Sequence, residues 1–146
     1  MAITSAICNS FKQEILEAEH NFTATTGNTF NLALYTSSAT LSASTTAYSS
    51  TNEITNTSGT AYSAKGNALT SVTPTLDSST AVCDFADTSW TSASFTANGC
   101  LIFNDSHATD ASVCAVAFGG DKTVSSGTFT VQFPAAAATT AIIRIA

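Results

Sequence analysis

The spacing of apolar residues predicts a mainly β chain. Phe30, Leu32 and Leu34 alternate with smaller or polar residues, and the same two-residue period returns in 127–133. Shorter runs compatible with strands, separated by Gly, Ser and Asn turns, cover 68–76, 81–85, 94–104, 112–118 and 141–146. Seven or eight short strands with such turns are typical of an antiparallel β-sandwich, with either a jelly-roll or an immunoglobulin-like topology.

One helical period interrupts this pattern near the start of the chain. Phe11, Ile15 and Phe22 form an apolar stripe, and Ser10 with Gln13 fits a capping box. We therefore predict a short amphipathic helix over 10–22, preceded by an N-terminal arm over 1–9. The length of 146 residues suits a single domain.

Irregular positions refine the predicted strands. Pro74 lacks an N–H donor, so the run 68–76 is expected to be an edge strand or to end there. The alternation of 94–104 fails at Asn98-Gly99, which indicates a bulge. The predicted core of the sandwich contains Phe30, Leu32, Leu34, Phe129, Val131, Phe133 and Ile142.

Composition and charge exclude several function classes. The net charge is −6, and the four basic residues lie singly, so no basic patch for nucleic acid is expected. No apolar run approaches the roughly 20 residues of a membrane span, and no secretion signal precedes Lys12. We expect synthesis in a cytoplasm. Apolar content of 44% with only 10% charged residues indicates a folded chain despite its many Ser and Thr.

The four cysteines show no CxxC spacing, so a zinc ribbon or redox pair is not predicted. They are read as small buried apolar residues. A disulfide formed after release into oxidising surroundings remains an alternative. Cys100 and Cys114 are its candidates because their strands could pair as a hairpin. Cys8 is the candidate for a bond between chains.

No catalytic or cofactor-binding motif is present. The chain lacks GxSxG, HExxH, P-loop and GxGxxG patterns, so we predict that it is not an enzyme and needs no cofactor. The segment NDSHATD places Asn104, Asp105, His107 and Asp110 where a cation could bind. Because EF-hand spacing is absent, a polar turn is the preferred interpretation and no metal is predicted.

Residues 36–66 form a long segment with few strand signals. Compact domains rarely leave so many residues without secondary structure unless the segment has a function. We therefore expect this segment to be functional or to bind a neighbouring subunit.

Seven stretches in fixed order resemble small virion structural proteins of tailed bacteriophages, frequent among phages of aquatic bacteria and cyanobacteria. The stretches are SFKQEILEAEHNF, NTFNLALYTSSATL, TTAYSSTNEI, GTAYSAKGNAL, the region from DFADTSW to GCLIFND, FGGDKTVSSGTFTVQFP and AIIRIA. The resemblance spans nearly the whole chain and implies a virion setting, without any catalytic residues.

Together, this resemblance and the low charge predict a capsid decoration or cement protein on the outside of the phage head. The expected partners are the major capsid protein and further copies of the chain, with a trimer favoured, and no small-molecule ligand is expected. Candidate contact residues are Phe11, Ile15, Tyr35, Tyr48, Glu53 and Tyr62. The alternative is a tail, neck or fibre component. In one version of this alternative the chain is an adhesin that stacks host glycans on Tyr35, Tyr48, Tyr62 and Trp90. A secreted carbohydrate-binding module is a third reading.

Overall fold

The computed structural model describes residues 1–55 and 60–146. Its elements in chain order are β1 (Ala6–Ile7), α1 (Asn9–Leu16), β2 (Phe30–Tyr35), β3 (Asn67–Ala68), β4 (Ser71–Asp77), β5 (Thr80–Phe85), β6 (Thr88–Asn104), β7 (Ala111–Val131) and β8 (Ile143–Ile145). One antiparallel sheet has the order β1-β7-β6-β2-β3, and a second has the order β4-β5-β8. The predicted mainly β architecture, an antiparallel β-sandwich with one short N-terminal helix, is confirmed.

Strand β2 has the predicted bounds and lies inside the larger sheet, between β6 and β3. Its alternation separates two faces of that sheet. One face carries Phe30, Leu32, Leu34, Cys100 and Ile102, and we call it the open face. The opposite face carries Asn31, Ala33, Tyr35, Leu101 and Phe103, and we call it the closed face.

The smaller sheet covers part of the open face. Phe85 on β5 lies 5.9 Å from Phe30 between ring centroids, and Phe22 stacks on Phe30 at 4.2 Å. Strand β4 is an edge strand, as Pro74 predicted, and its register shifts between Val72 and Thr75. The missing N–H of Pro74 is therefore placed where the ladder is already interrupted.

Strands β6 and β7 form one long, bent hairpin. The predicted bulge near Gly99 is confirmed, because Ala97 pairs with Lys122 whereas Gly99 pairs with Ala117. The extra residues, 118–121, include Gly119 and Gly120 with φ of 73° and 134°. The predicted strands 112–118 and 127–133 are therefore one strand with a bend, where a turn was expected.

The start of the chain differs from prediction in two ways. Helix α1 ends at Leu16 because Ala18 adopts a left-handed φ of 61°, so it does not reach 22. Its N-cap position is Cys8, without a side-chain cap, instead of Ser10. Residues 1–9 are docked and do not extend as an arm, since β1 pairs with β7 and Ile3 forms a bridge to Leu41.

Three of the seven predicted core residues are fully buried, and the other four are not. Phe30, Leu32 and Leu34 are fully buried. Phe129, Val131, Phe133 and Ile142 are only partly buried beside that core. All four of these partly buried residues line one groove, which is described below.

Candidate functional site

The closed face is covered by the segment that was expected to contact a neighbouring subunit. Tyr48 stacks on Phe103 with ring centroids 4.7 Å apart, and the Tyr35 hydroxyl donates to the Ser49 carbonyl at 2.7 Å. The Ile54 N–H donates to the Leu34 carbonyl at 2.9 Å. Residues 36–55 and 60–66 therefore serve as part of this chain's own fold, whereas residues 56–59 of the predicted contact segment lie outside the described residues.

A buried carboxylate fixes this cover. Glu53 accepts hydrogen bonds from the Tyr48 hydroxyl at 2.5 Å, the Tyr62 hydroxyl at 2.7 Å and the Lys65 N–H at 2.7 Å. Tyr62 also accepts from the Leu34 N–H at 2.9 Å. Burial raises the pKa of the Tyr62 hydroxyl far above its ordinary range, and Glu53 raises it further. Tyr62 therefore stays protonated and keeps its role as a donor.

These positions correct the predicted contact residues. Tyr35 and Tyr62 are each 1% exposed, and Glu53 is 6% exposed. Tyr48 is half-buried, with its ring on Phe103 and its hydroxyl on Glu53. The side chains of Tyr35, Glu53 and Tyr62 hold the fold together and leave almost no surface for a partner.

The segment NDSHATD, residues 104–110, forms ion pairs with a lysine of its own chain. The Lys65 ammonium lies 2.8 Å from Asp105 and 2.9 Å from Asp110, and these hydrogen bonds raise the pKa of Lys65 above its ordinary value. Asn104 is fully buried and donates to the Glu19 carbonyl. Among the described residues, no three His, Cys, Asp or Glu side chains are grouped to hold a metal ion.

The cysteines are buried and free. This agrees with the preferred reading of the sequence, and the alternative, a disulfide between Cys100 and Cys114, is not formed. Cys100 pairs with Val116, and Cys114 pairs with Ile102. The two cysteines are diagonal neighbours, and such pairs lie farther apart than a disulfide usually allows. Cys8 is fully buried, so it does not present a thiol to another chain. Burial raises the pKa of Cys83 and Cys100 to about 12.

The predicted contact residues of the helix have different positions. Phe11 is buried against His20 and Phe22. Ile15 is half-buried and borders a small apolar cavity of about 80 Å³ together with Ala81 and Ile145. Of the six contact candidates, Ile15 is therefore the one whose surroundings are apolar and open.

Exposed apolar side chains cluster next to Ile15. Leu76 on β4 is 72% exposed and Ile145 on β8 is 55% exposed, and both strands pair with Ala81 of β5. Leu76, Ala81 and Ile145 thus form one row across the smaller sheet, and we call this row with Ile15 the apolar strip. The sequence analysis did not predict Leu76 and Ile145 as exposed contact residues. A signal for Leu76 was present, because it follows Pro74 on a predicted edge strand.

A second apolar region lies at the bend of the β6–β7 hairpin. The ring centroids of Phe118 and Phe129 are 6.2 Å apart, although a straight strand would separate these positions by roughly 36 Å. The bend encloses a groove of about 650 Å³, which we call the hairpin groove. Leu32, Cys100 and Ile102 of the open face line this groove, and its other lining residues are Val116, Phe118, Lys122, residues 129–134 and Ile142.

Comparisons with protein-family models, with curated proteins and with solved structures found no match to this chain. Within residues 1–55 and 60–146, no helix is long and apolar enough to cross a membrane.

Proposed function

We propose that this chain is a non-enzymatic structural protein of a tailed-phage virion, where it decorates and stabilises the outer surface of the capsid shell. The apolar strip is the observation that carries this proposal. Exposed apolar side chains grouped in one place favour a protein contact, because covering them removes apolar surface from water. The resemblance of the seven stretches to small phage virion proteins supplies the virion setting.

The surroundings of the strip suit a contact that is repeated many times on a shell. Only 10% of the residues are charged, so few ions would lose their hydration when the strip is covered. The net charge of −6 also favours the exterior of the head over its DNA-filled interior. The proposed partners are the major capsid protein and further copies of the chain, with a trimer as the favoured assembly.

Paired charge variants test this proposal. Leu76→Asp and Ile145→Asp place a charge in the strip at exposed positions, so neither should unfold the chain. Ser125→Asp adds the same charge at an exposed position of the other sheet and serves as the control. We expect the strip variants to separate from capsids during purification and the particles to release DNA at lower temperature, while the control behaves as the wild type.

The decoration role would be contradicted by two results obtained together. The first is that the strip variants stay bound to capsids, and the second is that particles lacking the chain survive heating as well as complete particles. Light scattering of the purified chain measures the oligomer, with a mass of three chains expected.

The tail, neck or fibre alternative is separated by copy number. A quantitative gel should show hundreds of copies per particle for a shell protein and only a handful for a neck or fibre protein. The glycan-binding version of this alternative is not supported, because three of its four proposed stacking residues, Tyr35, Tyr62 and Trp90, are buried.

A further inference from the structure

The hairpin groove contains apolar residues that lack a complete core around them. Four of these residues were predicted as core: Phe129, Val131, Phe133 and Ile142. Each of them stays partly exposed. Val116 and Phe118 line the same groove and are also half-buried. Covering these six side chains would complete their packing.

A single charged residue borders this apolar space. Lys122 lines the groove, and all other lining residues are apolar or neutral. Lys122 has no ion-pair partner among the described residues, whereas Lys65 has two carboxylates. The neighbouring carboxylate of Asp121 accepts a hydrogen bond from the Asn98 amide at 2.9 Å. Lys122 is therefore available to an anion from outside the chain.

The size and the lining together define a class of ligand. A volume of about 650 Å³ lies within the range of small-molecule sites. An apolar trough with one ammonium group complements a molecule that has a hydrocarbon body and one carboxylate. We propose that the hairpin groove binds a linear apolar carboxylate, such as a saturated fatty acid, with its carboxylate at Lys122 and its chain over Phe129 and Val131.

Calorimetric titration of the full chain with dodecanoate, kept below its micelle concentration, tests the site. Lys122→Met removes the ammonium group at an exposed position and should weaken binding about tenfold or more. Lys12→Met removes the same charge from helix α1 and should leave the affinity within about twofold. Circular dichroism confirms that each variant is folded before titration.

Two further ligand series make the test specific. Octanoate, decanoate and dodecanoate should bind about fourfold more tightly for each methylene added while the groove fills. Dodecanol should bind the wild type about as weakly as dodecanoate binds Lys122→Met. Dodecyltrimethylammonium, which has the opposite charge, should bind more weakly than dodecanoate.

The indole of Trp90 locates the ligand. It is the only tryptophan of the chain, and its ring centroid lies 6.2 Å from that of Phe129. Its fluorescence should change in step with the heat of binding.

The proposal is overturned if dodecanoate does not bind, or if both lysine variants bind it equally. It is also overturned if the cationic amphiphile binds as tightly as the carboxylate, since the groove would then be selecting hydrocarbon alone. An extended apolar peptide that binds while dodecanoate does not would assign the groove to a protein partner and likewise overturn it.

Discussion

The two faces of the five-stranded sheet are covered in different ways. The closed face lies under residues of the segment 36–66, which are fixed by the buried carboxylate of Glu53 and by the ion pairs of Lys65. The open face is covered by the smaller sheet at one end and borders the hairpin groove at the other. The closed face therefore contributes stability, whereas apolar residues beside the open face stay partly exposed in the hairpin groove.

The largest effect is expected when the carboxylate under the closed face is removed. Glu53→Ala would leave three donors, from Tyr48, Tyr62 and Lys65, without their acceptor. We expect a loss of about 4 kcal/mol in the free energy of unfolding, measured with urea. Glu53→Gln keeps one acceptor and should lose less. A loss below about 1 kcal/mol for Glu53→Ala would show that the hydrogen bonds of Glu53 do not fix the segment 36–66 on the closed face.

The next largest loss of stability is expected at Gly66, and Gly119 provides the comparison. A Cβ at Gly66 would lie 1.9 Å from the Leu32 carbonyl oxygen, and the φ of Gly66 is 65°. Gly66→Ala should therefore lower the free energy of unfolding by about 3 kcal/mol. Gly119 has a similar φ of 73° but open space around it, so Gly119→Ala should lose only about 1 kcal/mol. Equal losses in thermal unfolding would contradict the close approach at Gly66.

The ion pairs of Lys65 should contribute less, because its side chain is 40% exposed. Lys65→Met is expected to lose about 1 kcal/mol in low salt and less in high salt. Lys12→Met is the matched control. Lys12 is exposed, and its ammonium donates a hydrogen bond to the uncharged side chain of Asn9 in the same helix. Salt titration of both variants measures the difference, and a salt-independent loss for Lys65→Met would contradict an electrostatic origin.

The protonation of the buried thiols is expected to have the smallest effect on stability at neutral pH. Burial raises the pKa of Cys83 and Cys100 from 9.0 to about 12. The folded state therefore holds these protons more tightly than the unfolded state. This contribution to stability is fully present below pH 9 and is lost as the pH rises toward 12. Iodoacetamide at pH 8 should modify the thiols only after unfolding, and rapid labelling of folded protein would show that water reaches them.

The sequence predicted the parts of the fold that depend on local patterns. The alternation of Phe30, Leu32 and Leu34 located β2, and Pro74 and Gly99 marked an edge strand and a bulge. Alternation shows which side chains share a face, but it does not show what covers that face. Phe129 and Phe133 were therefore predicted as core and instead border a groove.

Other features depend on contacts between distant residues or on conformations without a sequence signal. Helix α1 ends early through a left-handed Ala18, a conformation that glycine or asparagine usually marks. The Glu53 network joins residues that the loop brings together only when it folds, and for this reason Tyr35 and Tyr62 resembled surface aromatics. The apolar strip joins α1 to β4, β5 and β8, so no single stretch of sequence contained it.

A particle reconstruction of the virion that carries this chain tests the proposed function most directly. We predict density for the chain in many copies on the outside of the head, with Ile15, Leu76 and Ile145 against the major capsid protein. The segment 36–55 should lie on its own sheet as it does in the isolated chain. Density at the tail or neck alone, or a head-bound chain whose apolar strip faces solvent, would contradict this account.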